Sequence, residues 1–294
     1  MMRSLYSAIS GLKNHQTMMD VVGNNIANVN TTGFKKSRIT FATALSQSMK
    51  GASSPILGPP PQGGTNPMQV GLGAMLGSID QIMSPGSAQT TGNQTDMMIE
   101  GQGFFVLNNG GQTVYSRAGG FTLDGAGNLD DPATGALVQG QAYASDIVPP
   151  VWPGVTSNVV IKIGSTSAGY PADGTLQSYT IDQSGIVTGT YSIGGVSKNH
   201  KIAQIAVANF ANAPGLENLG GNFYGATNNS GLAVVGAAGT NGSGTIIPSA
   251  LEMSNVDLSQ EMTSMIVAQR GFQANSRVIT VSDTLLQDLI DLKR

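Results

Sequence analysis

A large apolar residue recurs every seventh position at both ends of the chain: Leu5, Leu12, Met19 and Ile26 at the start, and Leu258, Met265, Phe272, Ile279 and Leu286 at the finish. Polar residues fill the intervals, which is the pattern of helices that lay an apolar stripe against partner helices. Ala8, Val22 and Val29 add a second row to the first stripe, and Met262, Ile266, Leu285 and Leu289 widen the second. The spacing predicts one helix from Ser4 to about Asn28, closed by Asn30, Thr31, Thr32 and Gly33, and another from near Ser254 to Leu292. Ser254 and Asp257 stand at capping-box spacing ahead of that second run. Stripes of this length need another helix to cover them, so the termini read as arms built to join copies of the chain.

Between the arms the pattern changes to short apolar runs separated by turn residues. Phe104-Phe105-Val106-Leu107 is bounded by Gly103 and by Asn108-Asn109-Gly110-Gly111, and Thr113 to Arg117 supplies a return strand, which is a hairpin signature. Further strands are expected at 121–123, 136–139, 159–163, 178–181, 186–188, 190–193 and 204–210. Residues 51–67 are Pro/Gly punctuation and read as an extended connector. The chain is therefore expected to be multidomain α+β, with N- and C-terminal helical arms around central all-β domains. The expected divisions are a helical arm at 1–34, an extended linker at 35–70, a central β domain at 71–143 and 197–250, an inserted outer β domain at 144–196, and a second arm at 251–294.

Composition sharpens this picture. Only 11% of the 294 residues are charged and 40 are glycine, which suits tight turns and broad neutral surfaces. Charge is uneven: residues 1–50 hold six basic side chains against Asp20, so the remainder is strongly acidic. Lys35-Lys36-Ser37-Arg38 reads as a solvated or subunit-facing basic patch, since no set of stacking aromatics accompanies it to suggest nucleic acid. There is no cysteine, and the two histidines, His15 and His200, form no metal or catalytic constellation. No nucleophile and base can be paired, so no enzyme is expected, and no cofactor or metal site is nominated. Asp124-Gly-Ala-Gly-Asn128 followed by Asp130-Asp131 lacks the spacing and terminal Glu of a calcium loop and reads as a turn. No run approaches the ~20 apolar residues of a membrane span, and the start lacks the apolar core of a cleaved secretory signal.

The stretch Asn25-Ile-Ala-Asn-Val-Asn-Thr-Thr-Gly-Phe-Lys35 closely resembles the N-terminal signature of the bacterial flagellar rod and hook family, with Ala27, Asn28, Thr31, Gly33 and Phe34 in register. Gly101-Gln-Gly-Phe-Phe105, Tyr115-Ser-Arg117 and Gly120-Phe-Thr-Leu-Asp124 resemble its central β domain. Ser254-Asn-Val-Asp-Leu258 and Ile266-Val-Ala-Gln-Arg-Gly-Phe-Gln-Ala-Asn-Ser-Arg277 resemble its C-terminal helix. The resemblance implies a tubular homopolymer whose N- and C-terminal helices pair as an inner coiled-coil domain lining a central channel, with the β domains stacked outside. It implies as partners the neighbouring axial proteins (distal rod, hook cap and hook–filament junction) and the flagellar type III export apparatus. Localisation would be the extracellular hook, associated with the basal body, reached without a cleaved signal and without membrane insertion. Phe41-Ala-Thr-Ala-Leu45 fits the Phe-x-x-x-apolar spacing associated with export-gate recognition in such substrates. Within the family the C-terminal run favours the hook subunit, a universal joint that passes motor torque to the filament. The length of 294 residues keeps a distal-rod subunit as the alternative, and a β-rich surface adhesin is the remote one.

Overall fold

A computed structural model of the chain describes residues 2–55, 63–143, 157–159, 175–193 and 196–292. It divides into two compact units, the first made of Met1–Ala27, Ser37–Gln81 and Asp257–Arg294, the second of Asn28–Lys36 and Ile82–Val256.

The first unit holds both helices, α1 (Met2–Ala27) and α2 (Leu258–Asp291). They run antiparallel, with Gly11 against Asn275, His15 against Gly271, and Asn25 bonded to Glu261. The helix expected near Ser254 starts later, because Asp257 and not Ser254 is the N-cap: its Oδ1 accepts from the Ser259 and Gln260 amides at 2.9 and 3.2 Å. That satisfies two of the four amides a helix start leaves without partners. Beside the helices in this unit, β1 (Ser37–Thr43) pairs antiparallel with β4 (Ala74–Gln81), and β2 (Ser46–Lys50) with β3 (Met68–Gly71). A bridge between Ser53 and Thr65 extends the two-stranded ribbon. The described strands of the segment read as an extended linker are thus extended but paired, β1 with β4 and β2 with β3, so their ladder groups have backbone partners.

The second unit is all β, apart from one 3₁₀ turn at Ala213–Gly215 among its described residues. Its strands are β5 (Ala88–Thr90), β6 (Met97–Glu100), β7 (Phe104–Asn109), β8 (Gln112–Ser116), β9 (Thr122–Leu123), β10 (Leu129–Asp130), β11 (Leu137–Ala142) and β12 (Ser157–Asn158). Beyond them come β13 (Thr175–Ile181), β14 (Ile186–Ile193), β15 (Val196–Asn209), β16 (Glu217–Gly220), β17 (Phe223–Gly225), β18 (Val234–Ala237), β19 (Thr245–Pro248) and β20 (Ala250–Glu252). One sheet runs β13-β14-β15-β11-β7-β8-β17-β16. The β7–β8 hairpin closes through Gly110 and Gly111, at φ 60° and 96°, the left-handed pair that a two-residue turn requires. Strand β7 is buried on both faces, so its side chains feed two cores in alternation. Phe105 and Leu107 join Val138, Ile205 and Val207 on one side, while Phe104 and Val106 join Tyr115, Ala206 and Phe210 on the other.

The described strands of the segment read as an inserted outer domain, β12 to β14, join this same sheet. Strand β15 carries the continuity: Val196 to Gln204 pair with β14, and Val207 and Ala208 pair with β7. The strands read separately at 186–188 and 190–193 are one strand, and most of the expected strand at 159–163 lies outside the described residues.

Candidate assembly surfaces

The densest polar cluster lies in the second unit. Lys35 Nζ donates to Glu252 Oε1 at 2.5 Å and to the Ser84 carbonyl at 2.9 Å. Arg117 Nη1 reaches Glu252 Oε2 at 3.4 Å, its Nη2 donates to the Gly101 carbonyl at 2.8 Å, and the guanidinium sits 5.2 Å from the Phe104 ring centre. The side chains of Lys35 and Glu252 are fully buried and that of Arg117 nearly so. Burial pulls the Lys35 ammonium below its ordinary value of 10.5, opposed by Glu252, and burial likewise lowers Arg117. Two cations against one carboxylate leave the trio with a formal surplus of one positive charge, sealed from water. The basic run 35–38 is therefore not a uniformly solvated patch. Lys35 points into the body, and Arg38 stays exposed beside Asp80 at 3.9 Å. The sequence missed the trio because 35, 117 and 252 are remote in the chain; in a chain so poor in charge, an acidic residue between apolar neighbours at Leu251-Glu252-Met253 was the available signal.

The signature turn is built onto this cluster. Asn28 O accepts from the Thr31 amide, and Thr31 Oγ1 donates to Asn28 Oδ1 at 3.0 Å. Gly33, at φ 70°, donates its N–H to the Glu252 carbonyl at 2.8 Å. A Cβ there would stand 2.5 Å from the Ala118 nitrogen, so both backbone conformation and space demand glycine. The Thr31 carbonyl accepts from the Phe34 amide, which completes the turn, while Ala27 ends α1 in the other unit. Lys36 N donates to Asn255 Oδ1 at 2.8 Å, and Asn255 Nδ2 to the Ile82 carbonyl at 2.8 Å, which ties two chain crossings together.

In the first unit the helix seam differs from the heptad column that foreshadowed it. Leu5, Leu12, Met19 and Ile26 are half-buried, as are Met265, Phe272 and Ile279, whereas Leu258 and Leu286 are exposed. The best-buried positions lie off that column: Ala8, Val22 and Asn25 in α1, Glu261, Ala268 and Ser282 in α2. Small side chains let the backbones approach, and Asn25 supplies the polar link. Its Nδ2 donates to Glu261 Oε2 at 3.2 Å and to the Ser37 carbonyl at 2.9 Å, while its Oδ1 accepts from the Ser37 amide. What α2 leaves outward is still apolar, with Val267, Val278, Val281 and Leu285 all exposed on one side of the helix.

The ribbon is exposed as well. Phe41, Met49, Met68, Val70, Met75, Leu76 and Ile79 are each exposed by more than a third, and Leu45 by 83%. The export-spacing pair Phe41 and Leu45 therefore sits on an open surface. The loop at Asp124 is a turn: Asp124 Oδ1 accepts from the Ala126 and Asn128 amides, and Asn128 Nδ2 donates to Oδ2, an arrangement that lowers the carboxyl's pKa. No described helix is long and apolar enough to cross a membrane.

The first unit carries two outward apolar surfaces, a helix pair and a ribbon, and the second closes its apolar cores within itself; exposed apolar surfaces of this kind suit a subunit that neighbours complete. Comparison with known proteins agrees. Residues 5–35 match the model described as flagella basal body rod protein, residues 98–189 the flagellar hook protein FlgE/F/G D1 domain, and residues 247–292 the flagellar basal body rod FlgEFG protein C-terminal. The flagellar basal-body rod protein FlgG of Bacillus subtilis is 44% identical over 295 residues, covering 100% of both chains. The corresponding rod protein of Agrobacterium fabrum is 36% identical over 291 residues, at 97% of each chain. The flagellar hook protein FlgE of Treponema pallidum is 31% identical over an alignment of 469 residues that spans both chains entirely. The chain belongs to the flagellar rod and hook family of structural proteins.

Proposed function

We propose that the chain is a subunit of the distal flagellar rod, a stiff tubular segment that carries torque, and not of the flexible hook that its C-terminal run first suggested. The observation that carries this reading is length. The chain aligns with the Bacillus rod protein almost residue for residue, over 295 positions. Against the Treponema hook protein the 469-position alignment leaves at least 175 positions with no counterpart in these 294 residues.

The ribbon supports the same assignment on physical grounds. A bending joint needs outer contacts that slide, and polar contacts exchanged with water slide at little cost. Apolar side chains resist sliding, because each one uncovered returns roughly 25 cal/mol per Å² of surface to water. Met49, Met68, Met75 and Ile79 would be covered by neighbouring copies in the tube and hold it straight. The helix pair supplies the inner layer, where the column from Leu5 to Ile26 and that from Leu258 to Leu286 gain their remaining cover as a multi-chain coiled coil. Neighbouring axial proteins cap this tube at its two ends. Export through the type III apparatus is part of the reading, with Phe41 and Leu45 as the exposed gate pattern.

Electron microscopy of basal bodies from a strain lacking the protein tests the assignment. A rod truncated before its distal part is expected. A complete rod without a hook would restore the hook reading, and intact flagella would remove both.

A further inference from the structure

A cleft of about 360 Å³ opens in the second unit against Arg117, one member of the buried trio. Its walls are Pro85, Phe104, Phe210 and Pro214, its rim carries Gln102 and Asn212, and Arg117 lines it. Ser84, whose carbonyl accepts from Lys35, lines it too. Neither Lys35 nor Arg117 has an ion pair among the described residues other than to Glu252, so the surplus positive charge lies beneath this opening. Arg117 Nε is buried with no hydrogen-bond partner among the described residues. Since the guanidinium is sealed, its charge acts in the cleft through its field, which walls of low dielectric concentrate.

The rest of the unit has the opposite sign. Outside the trio it carries nine acidic against four basic residues, and Glu100, Asp182 and Glu217 are exposed. We infer that the cleft is a socket for an acidic side chain carried by the β body of a second copy of this chain. Aromatic and proline walls take the aliphatic stem, the amides of Gln102 and Asn212 donate to the carboxylate, and the field of Arg117 and Lys35 selects its charge. A neutral apolar knob would leave that field unanswered, and a basic one would oppose it. A polymer of otherwise acidic bodies thereby gains a contact in which like-charged subunits attract.

This inference rests on the reading of the chain as a polymer subunit, and its test keeps the two apart. Gln102 is exposed and only its backbone is engaged, so it can change charge without loss of fold, which thermal unfolding of each purified variant verifies. Gln102→Glu and Gln102→Lys are each expressed in the deletion strain, alongside the wild-type chain, and complete basal bodies are counted. The socket requires Gln102→Glu to lower the count about fivefold, the effect of one like-charge contact, with Gln102→Lys at or above wild type. A photoreactive phenylalanine analogue at Ala211, an exposed wall position, should join the chain to an acid-bearing peptide of another copy. Equal losses for both charges would mean an apolar occupant and overturn the inference. So would two unchanged variants, or cross-links to a different protein. Failure of the wild-type chain itself to restore rods would instead refute the polymer assignment.

Discussion

Glu252 shows how one residue can hold several segments in place. Its carboxylate accepts from Lys35, Arg117 and the Gly86 amide, and its carbonyl accepts from Gly33. Charges so deep are stabilising only in relation to each other, because each alone would lose its hydration with nothing in return. Glu252→Gln keeps the shape and removes the counter-charge, leaving two buried cations, and should cost about 3–5 kcal/mol at pH 7 in urea unfolding. The pH dependence has a definite sign. With Glu252 gone the force that raises the Lys35 pKa disappears and desolvation is unopposed, so its folded value falls further below 10.5. The unfolded chain then holds the proton more firmly than the folded one, and the variant should regain stability as pH rises through that window towards 10.5. A variant as stable as wild type at pH 7, or one whose deficit does not shrink by pH 10, would show that the trio does not hold the segments together.

At the scale of elements, the two helices meet through what they lack. Gly271 faces the imidazole of His15, and a Cβ built on Gly271 would collide with three of its ring atoms. Helix propensity favours alanine over glycine by roughly 1 kcal/mol, so the sign of Gly271→Ala depends on which effect prevails. In the seam the collision should prevail, and the variant should melt below wild type. In a His15→Ala background the ring is gone and the same substitution should raise the melting temperature, by about 1 kcal/mol of stability. Identical shifts in the two backgrounds would mean that His15 and Gly271 do not touch. This seam also marks where the sequence became illegible. The heptads declared two helices and their approximate ends, because large apolar residues at period seven have few other uses. They did not declare the buried polar positions off that column, since Asn25, Glu261 and Ser282 look like a solvated face until the helices pack and Asn25 meets Glu261. The β7–β8 hairpin was readable from Asn108-Asn109-Gly110-Gly111, whose turn chemistry is local. Strand β2, Ser46–Lys50, was not: all five residues are exposed, so no alternation of burial is written into them.

The whole molecule carries two kinds of apolar surface, and a substitution separates them. Phe105, Leu107, Ile205 and Val207 are covered within the chain, so their loss is felt by the chain alone, at 2–5 kcal/mol for a large residue cut to alanine. Met68, Met75 and Ile79 are exposed on the ribbon, and changing them to serine removes little that the free chain uses. The triple variant's unfolding should therefore stay within about 0.5 kcal/mol per site of wild type. Assembled rods are different, because in the proposed tube those side chains are covered by neighbours, and each lost from a buried contact removes about 1.5–3 kcal/mol per subunit. Rods of the variant should dissociate at lower urea concentrations than wild-type rods, and electron micrographs should show them bent where wild-type rods are straight. A ribbon that faced water in the rod would give wild-type rods from the variant, and stiffness would then have to reside in the helices or the β bodies. Phe272 lies between the two classes, being half-buried in the single chain, so the full 3–5 kcal/mol of a buried Phe→Ala should emerge only where neighbouring helices complete its cover.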